Sequence, residues 1–277
     1  RLTEVLSMTR ILTACLSVSV LLLVACATAP PPGETGHRPD QDLGLRWVKS
    51  AAEYHAITRQ VYAAARADLA GFVADPDWSA LPGQTDAADL PPAVILDVDE
   101  TVVSNVDFQL SFERPFANWK LEKWASETEA TPVQGVVEFV QEARRQGVTV
   151  FFVTNRPCEP KPGSDDPCPQ RQTTIEGIAE VGIETDAEHV FLSQERGWTR
   201  EKITRRQHIA KTHRILMLIG DDFGDFVPCS RKKLRAPCTE PATAESRSAA
   251  LDLYDRYWGH GWYILPNPMH GSWTSID

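Results

Sequence analysis

The sequence predicts an α/β fold in which a mostly parallel sheet carries helices on both faces. Four short apolar runs have the character of buried strands, at residues 93–98, 148–153, 189–192 and 215–219. Amphipathic or charged segments of helical length separate these runs. Because strands that alternate with helices are joined by right-handed crossovers, the four strands are expected to lie parallel in one sheet.

The segments between the strands justify the helices. Apolar residues recur every three to five positions from Leu45 to Phe72, which predicts one long helix that Asp75-Pro76 ends. Shorter helices are predicted at residues 132–146, 171–181 and 199–212. Residues 107–131 mix aromatic and charged side chains and predict short helices over the mouth of the sheet. With the N-terminal helix, they are expected to form a small helical cap.

Polar side chains follow three of the predicted strands at the point where each strand ends. Asp97 and Asp99 follow the first strand, one residue apart. The second and fourth strands are followed by Thr154, Asn155 and Arg156, and by Asp221, Asp222 and Asp225. Open parallel sheets bind ligands at the carboxyl ends of their strands, so these groups are expected at one site. Taken alone, the first two acids could also be a polar turn after a core strand.

The residue types at this predicted site suit phosphoryl transfer. One of two neighbouring acids can attack or hold a metal while the other moves a proton. Carboxylates from two strand ends can share a Mg²⁺ ion, which takes oxygen ligands. A hydroxyl, backbone amides and the ammonium of Lys202, from the basic helix, suit the oxygens of a phosphoryl group.

Length and charge narrow the class of protein further. The chain has 277 residues, enough for one large core, with 24% charged and 42% hydrophobic residues. Its net charge of −10, from 28 basic and 38 acidic residues, argues against a nucleic-acid polymer as partner. A small phosphate ester is still compatible, because the carboxylates can hold a cation.

The N-terminal residues resemble a bacterial lipoprotein signal. Met8 is the expected start, so residues 1–7 lie upstream of it, and an apolar stretch follows at residues 11–25. This stretch is shorter than the ~20 residues that cross a bilayer and suits a signal-peptide core. It ends in Leu23-Val24-Ala25-Cys26, which is similar to a lipobox in which Cys26 receives a lipid. An ordinary cleaved signal and a short anchor are the alternatives.

The chain is therefore expected to have three parts. Residues 1–26 are the predicted signal region, and residues 27–42, which are Pro-, Gly- and polar-rich, are the predicted flexible tether. Residues 43–277 are the predicted domain, a single one with its small cap.

Export also bears on the remaining cysteines. Apart from Cys15 in the signal and Cys26, the chain has four, and four cysteines allow three pairings. They form two close pairs in polar, Pro-rich loops, and exported proteins fold in an oxidising compartment. We therefore expect disulfides Cys158–Cys168 and Cys229–Cys238. A zinc site is the alternative, although neither pair has Cys-x-x-Cys spacing.

Four motifs of the chain resemble those of the haloacid dehalogenase (HAD) superfamily. They are Asp97-Val98-Asp99-Glu100-Thr101, Val153-Thr154-Asn155-Arg156, Lys202-Ile203-Thr204-Arg205-Arg206 and Gly220-Asp221-Asp222-Phe223-Gly224-Asp225-Phe226. Within the superfamily, the chain is similar to the class C acid phosphatases, the surface-lipoprotein 5′-nucleotidase group. Segments outside the motifs share this likeness, namely Ser50-Ala51-Ala52-Glu53-Tyr54, Trp119, Trp124 and Leu265-Pro266-Asn267-Pro268. The resemblance covers residues 45–273 and implies a HAD-like Rossmannoid sheet.

The resemblance implies a catalytic or metal-binding role for each matched position. Asp97 is the implied nucleophile, and Asp99 is the implied general acid and base. Thr154 and Lys202 are expected to hold the phosphoryl oxygens. One Mg²⁺ ion per chain is implied, with ligands from Asp97, the Asp99 backbone carbonyl, Asp221 and Asp225.

Other residues are expected to contact the substrate. Asn155 and Arg156 lie in the second motif and are expected to bind the substrate, and for Arg156 the capping of a loop is the alternative. Aromatic side chains that could stack on a base or phenyl ring are Trp119, Trp124, His270 and Trp273. For each tryptophan, packing in the core or cap is the alternative.

Three positions depart from the pattern of the family. Asp222 stands where Asn is more common, Gly224 where a further acid is common, and His270 where Tyr is expected. An added carboxylate beside the metal could change metal affinity, and His270 could weaken a preference for nucleotides. The loop at residues 158–168 looks like an insertion beside the second motif.

The predicted function is an exported, lipid-anchored, Mg²⁺-dependent acid phosphatase that uses an aspartyl-phosphate intermediate. Nucleoside 5′-monophosphates and aryl phosphates are the expected substrates. A phosphotransferase with the same intermediate and a non-catalytic ligand-binding lipoprotein are the alternatives. The resemblance further points to the outer membrane of a double-membraned bacterium, since Ala27 and not Asp follows Cys26. It is also compatible with a homodimer through the first helix.

Overall fold

The central sheet of the protein has five parallel strands. The computed structural model describes residues 39–112 and 115–276. Seven strands lie in the described residues, and two of them, β2 and β3, form a separate ribbon. The strands are β1 (Pro92–Leu96), β2 (Val103–Ser104), β3 (Thr131–Pro132), β4 (Thr149–Pro157), β5 (Val190–Ser193), β6 (Arg214–Gly220) and β7 (Trp262–Ile264). The sheet has the order β5-β4-β1-β6-β7, and each neighbouring pair is parallel. The predicted α/β class with a parallel sheet is confirmed.

Strand β1 lies at the centre of the sheet because its side chains are buried on both faces. Val94 and Leu96 belong to one core cluster, and Ala93 and Ile95 to the other. None of the four is more than 4% exposed. Burial on both faces explains why this strand is a continuous apolar run and not an alternating pattern.

Eight α-helices lie in the described residues. They are α1 (Pro39–Ser50), α2 (Ala52–Ala74), α3 (Val106–Ser111), α4 (Asn118–Glu127), α5 (Val136–Arg145), α6 (Gln170–Glu180), α7 (Ile203–Ile209) and α8 (Ala244–Leu253). Helices α2, α5 and α6 contribute to the core cluster on the face of Val94. Helices α7 and α8 pack against the cluster on the face of Ile95. The sheet is therefore covered on both sides.

The N-terminal helical region differs from the prediction in two ways. The single helix predicted from Leu45 to Phe72 is wrong, because Ala51 is extended (φ −82°, ψ 127°) and separates α1 from α2. The break lets α1 leave the sheet and approach the C-terminal segment, where a Cβ on Gly44 would lie 2.4 Å from the Pro268 carbonyl oxygen. Helix α1 also begins at Pro39, so the last residues of the predicted tether (27–42) are helical.

Two further boundaries were mispredicted, and one strand was missed. Helix α5 begins at Val136 and not at Pro132, which instead pairs with Val103 in the ribbon of β2 and β3. Helix α7 occupies only Ile203–Ile209 of the predicted 199–212. Strand β7 was missed because three residues are too short for a periodic signal.

The cap is inserted between β2 and β3. It contains α3 and α4, as predicted for residues 107–131, and its core includes Phe108, which stacks on Phe112 at 4.7 Å. Helix α1 joins the cap, since Val48 packs in one cluster with Val106. The predicted cap therefore includes only the first part of the N-terminal region, because α2 packs on the sheet.

Both predicted disulfides are present, Cys158–Cys168 and Cys229–Cys238, so these cysteines do not form the alternative zinc site. The predicted signal region (1–26), with the lipidation site Cys26, and residues 27–38 of the tether lie outside the described residues. Within the described part of the chain, no helix combines the length and the apolar character needed to cross a membrane.

Candidate active site

Asp97 and Asp99 lie in the turn that follows β1. The Asp97 amide donates to the Ile219 carbonyl at 2.9 Å, which carries the sheet pairing one residue beyond the strand. The chain then turns sharply, because the amides of Val102 and Val103 both donate to the Val98 carbonyl, at 2.8 and 2.9 Å. The turn brings both carboxylates into the lining of one cavity.

Lys202 joins the first and fourth motifs. Its Nζ donates to Asp97 Oδ1 and forms an ion pair with Asp225 Oδ1 at 2.7 Å. Burial lowers the pKa of Lys202, but Asp225 and Asp97 outweigh burial and raise the pKa above its ordinary value. With the side chain 3% exposed, this lysine is a buried, charged part of the site and not a solvated residue of a basic helix.

Asp97, Asp221 and Asp225 form an acidic cluster in which one oxygen of each carboxylate lies within 4.8 Å of the others. Asp221 is held from two sides, because Asn267 Nδ2 donates to Oδ2 at 2.6 Å and Thr101 Oγ1 to Oδ1 at 3.3 Å. Burial, and then the charges of Asp97 and Asp225, raise the pKa of Asp221 well above its ordinary value. The cluster therefore carries more negative charge than its surroundings neutralise.

The acidic cluster fits a divalent cation. Among the described residues, Lys202 is the one cation paired with these three carboxylates. Carboxylate oxygens are the ligands that hard ions such as Mg²⁺ prefer. The excess negative charge and the carboxylate oxygens thus agree with the predicted metal site. The cluster contains all three side chains that were predicted as ligands.

Asp99 is held by a second group of residues. Arg156 forms a two-pronged contact with its carboxylate, from Nη2 to Oδ1 at 2.7 Å and from Nε to Oδ2 at 3.2 Å. Asn105 Nδ2 donates to Oδ1 at 2.8 Å. Burial raises the pKa of Asp99, but the charge and hydrogen bonds of Arg156 outweigh it and hold the pKa below its ordinary value. Arg156, predicted to bind substrate, lines the cavity but is engaged by this carboxylate.

Thr154 and Asn155 belong to β4, and Thr154 lies beside Asp99. Thr154 is fully buried, and its Oγ1 lies 3.4 Å from Asp99 Oδ2 and accepts the Arg156 amide at 3.1 Å. Asn155 lines the cavity, and its Oδ1 accepts from Arg205 Nη2 at 2.8 Å. Arg205 also donates to the Thr154 carbonyl, so a buried guanidinium fixes the backbone of the second motif.

The residues predicted to stack on the substrate lie in different places. Trp119 is 63% exposed and lines the cavity, as His270 does. The Nε2 atom of His270 lies 3.2 Å from Glu100 Oε2. Trp124 is not among the residues that line the cavity, because it packs at 5.8 Å from Phe108 inside the cap. Trp273 also lies off the cavity wall and donates to the Asn267 carbonyl at 3.2 Å.

The two acidic-motif departures form a structural contact and not an added metal ligand. Asp222 Oδ1 accepts from Ser272 Oγ at 2.9 Å and from the Gly224 amide at 2.7 Å. Arg231 Nη2 lies 3.2 Å from the same oxygen. A Cβ on Gly224 would lie 2.7 Å from Arg231, so glycine makes room for this guanidinium. The expected change in metal affinity is therefore not supported by the position of Asp222.

A cavity of about 630 Å³ lies between the cap and the ends of the strands. Asp97, Asp99 and Lys202 form part of its floor, and Phe116 and Trp119 line it from the cap. Glu122 of α4 pairs with Lys161, which ties the cap to the loop closed by Cys158–Cys168. The predicted insertion therefore bounds one side of the cavity.

Sequence reasoning missed the residues that hold the predicted groups in place. Asn105, Asn267, Arg205 and Arg206 contact Asp99, Asp221, the second motif and the Asp225 carbonyl, respectively. Asn267 lay in a segment noted for its likeness to the family, and the two arginines lay inside the lysine motif. Residue type gave no signal, because arginines on a predicted basic helix are ordinarily solvated.

The fold and the site together define a phosphoryl-transfer enzyme, with paired acids after the central strand, a buried lysine and an acidic cluster. A model of the HAD superfamily, subfamily IIIB (acid phosphatase), matches residues 44–273. The chain belongs to this family, and the protein is a phosphomonoesterase.

Two solved structures are similar in fold. The class C acid phosphatase from Bacillus anthracis is 25% identical, with a TM-score of 0.65, over 84% of this chain and 86% of that one. A structure of that enzyme with tungstate bound is 24% identical at the same TM-score, again over 84% and 86% of the two chains. The predicted family resemblance is confirmed.

Proposed function

We propose that this acid phosphatase hydrolyses small phosphomonoesters through a phosphorylated Asp97, and that nucleoside 5′-monophosphates and aryl phosphates are among its substrates. The observation that carries this proposal is the convergence of Asp97, Lys202 and Asp99 on one cavity. Lys202 contacts Asp97, whereas Asp99 has a separate set of partners. Two acids in different electrostatic surroundings suit the two roles of nucleophile and proton carrier.

In the first step, a carboxylate oxygen of Asp97 attacks the phosphorus atom. The bond between phosphorus and the ester oxygen breaks, and protonated Asp99 gives its proton to the departing oxygen. Lys202 orients Asp97 and balances charge on the phosphoryl oxygens, and the side-chain amide of Asn155, which lines the cavity, would donate to the same oxygens. Thr154 is fully buried and does not line the cavity, so its proposed contact with these oxygens is not supported by its position. The products are the free alcohol and an aspartyl phosphate.

In the second step, water hydrolyses the aspartyl phosphate. Asp99, now ionised, accepts a proton from a water molecule as the water oxygen attacks phosphorus. The bond between phosphorus and Asp97 breaks, which releases inorganic phosphate and restores both carboxyl groups. Because Asp99 must be protonated at the start, and Arg156 holds its pKa low, loss of this proton should set the alkaline limb of the pH profile. Asp97 must be ionised to attack, and burial raises its pKa to about 7, so its protonation should set the acid limb.

A bound divalent cation, with Mg²⁺ as the proposed ion, would be held by the acidic cluster. It would neutralise charge on the phosphoryl group and on Asp97. The proposed set of ligands is Asp97, Asp221, Asp225 and the backbone carbonyl of Asp99. Their unbalanced negative charge supports this assignment.

The proposed substrates agree with the size and lining of the cavity. About 630 Å³ is enough for a nucleotide, and Trp119 offers an exposed ring at the cap. Stacking of a base or phenyl ring on this side chain, with His270 elsewhere in the lining, would bind the leaving group without demanding one particular alcohol.

We further propose that the enzyme is exported, anchored by a lipid on Cys26 and located at the outer membrane. The lipobox-like Leu23-Val24-Ala25-Cys26 supports the anchor, and the two disulfides support an oxidising compartment. Lipid labelling of the full chain, with Cys26→Ser as the control, tests the anchor. A homodimer remains a proposal that sedimentation of the intact protein would test.

The activity is tested by phosphate release at mildly acid pH from adenosine 5′-monophosphate and from an aryl phosphate. The protein would lack residues 1–26 and would be assayed with Mg²⁺ and after chelation. We expect turnover that needs the metal and that falls at least 10⁴-fold in Asp97→Asn. Asp77→Asn, an exposed acid outside the cavity, is the matched control and should retain full activity. Absence of metal-dependent release from both esters would contradict the proposal.

A further inference from the structure

Four cationic side chains lie in one wall of the cavity, which we call the cationic wall: Arg200, Arg231, Lys233 and Arg235. Arg200 precedes Lys202 by two residues, and the other three belong to the loop closed by Cys229–Cys238. The chain as a whole carries a net charge of −10. The positive charge of this wall is therefore contrary to the average of the protein, and it contrasts with the carboxylates that line the rest of the cavity.

The cationic wall is fixed in position by contacts that do not use its charges. The disulfide closes the loop, and Thr199 Oγ1 donates to the Ala236 carbonyl at 2.7 Å. The Cys229 amide donates to Glu201 Oε2 at 3.0 Å. These contacts join the loop to the segment that carries Arg200, so the four cations face the cavity from a preorganised frame.

Few ion pairs compensate the positive charge of this wall. Among the described residues, Arg231 is the one member within ion-pair distance of a carboxylate, Asp222. The buried Nε atom of Arg231 has no partner there. Arg235 donates to a backbone carbonyl, that of Lys233, which supplies no charge. Burial, and then the neighbouring Arg231 and Arg235, lower the pKa of Arg200, and they outweigh the charges of Asp99 and Asp222, which raise it.

We infer that the cationic wall binds a second phosphate group of the substrate, so that small phosphomonoesters carrying a further phosphate are preferred over simple ones. A phosphate dianion would neutralise the excess charge, and guanidinium groups bind phosphate with two parallel hydrogen bonds. The group that is cleaved already has Lys202 and the second motif, so the wall is available to a different group. This inference deepens the proposed function and rests on it for the site of cleavage.

Binding and hydrolysis can be separated in the test. The Asp97→Asn variant should not hydrolyse the compounds that it binds. Calorimetry on this variant, as the full chain in detergent and with Mg²⁺, therefore gives dissociation constants for adenosine 3′,5′-bisphosphate and adenosine 5′-monophosphate. We expect the bisphosphate to bind at least tenfold more tightly, beyond the factor of two that its two phosphates give statistically. Added to Asp97→Asn, Arg235→Gln or Lys233→Gln should reduce this ratio to about threefold or less. Lys211→Gln, an exposed lysine outside the cavity, should leave the ratio unchanged.

Three outcomes would overturn the inference. The first is equal affinity for the bisphosphate and the monophosphate. The second is that Arg235→Gln and Lys233→Gln weaken the binding of both ligands by the same factor. The third is that Lys211→Gln lowers the ratio of the two affinities as much as Arg235→Gln and Lys233→Gln do. The second outcome would assign the wall to the phosphate that is cleaved, and the third would reduce the effect to general attraction. Failure of the proposed function would look different, because wild-type enzyme would then release no phosphate from either compound whatever the binding ratio.

Discussion

The floor of the cavity and its walls are built in different ways. On the floor, Asp97, Asp99 and Lys202 follow strands or precede a short helix, and each is held by a charged partner. In the walls, Trp119 is largely exposed and Arg235 belongs to a disulfide-closed loop. The floor thus fixes the chemistry through buried, mutually dependent contacts, whereas the walls can vary without disturbing it. This difference assigns catalysis to the sheet and substrate choice to the cap and loops.

The largest loss of activity is expected from replacing Lys202 in the floor of the cavity. Lys202→Met removes the charge that balances Asp97 and Asp225, so the phosphoryl group should be bound less well and Asp97 should be less often ionised. We expect kcat/KM for adenosine 5′-monophosphate to fall by about 10²- to 10³-fold. Lys211→Met, an exposed lysine in the turn after α7, is the matched control. A fall of less than fivefold would show that the floor does not depend on this contact.

A change at Arg156 should alter the pH dependence of the floor. Without the guanidinium, burial is left to raise the pKa of Asp99, so a larger fraction of this acid is protonated at a given pH. Arg156→Gln should move the alkaline limb of the kcat/KM profile to higher pH by about one unit and lower its maximum by about tenfold. Arg156→Lys, which keeps the charge, should leave the limb nearer to that of the wild type. A limb that moves to lower pH would contradict this account.

Asp222 connects the floor to the wall, and its removal should affect stability more than chemistry. Burial raises the pKa of Asp222, but Arg231 and the amides of Ser272 and Gly224 outweigh burial and hold the pKa below its ordinary value. Its contribution to stability is therefore present above about pH 4 and lost as the pH falls through the folded-state pKa. Asp222→Asn should lower the free energy of unfolding by about 1–2 kcal/mol at pH 7, and by less at pH 3. Urea unfolding at both pH values measures this, and an equal loss at both would refute the ionic account.

The smallest effect is expected from two tryptophans of the cap. Trp119→Ala should raise KM for adenosine 5′-monophosphate about three- to tenfold with little change in kcat, because the ring lines the cavity without touching the floor. Trp124→Ala should instead lower the thermal midpoint, because this ring packs on Phe108. A rise in KM of the same size in Trp124→Ala would show that the cap acts as one unit and not through a single stacking residue.

The same division explains how much the sequence predicts. The apolar run that ends in Asp97 predicts both a buried strand and the place where its acids emerge, because strand ends are local features. The contacts of Arg205 with the second motif and of Asn267 with Asp221 join segments about 50 residues apart, and no local pattern records them. The break at Ala51 was missed for the same reason, since the periodicity continues across it and only packing of α1 on the cap requires it.

The walls were the least predictable part. Trp119 and Trp124 are alike in sequence, yet one lines the cavity and the other packs against Phe108 in the cap. The sequence suggested that Asp222 is an added metal ligand, because it adjoins Asp221. Successive residues point in different directions, however, and the partners of Asp222 are Ser272 and Arg231. Residue type indicated what these side chains could do, and the fold decided which of those roles each one has.

The central claim is that Asp97 carries the phosphoryl group during turnover. Wild-type enzyme mixed with adenosine 5′-monophosphate and Mg²⁺, quenched in acid within milliseconds and digested, would be analysed by mass spectrometry for a phosphorylated peptide. The account predicts an acyl phosphate on Asp97 that hydroxylamine removes and that Asp97→Asn does not form. Steady release of phosphate with no label on Asp97, or with the label on another residue, would contradict it.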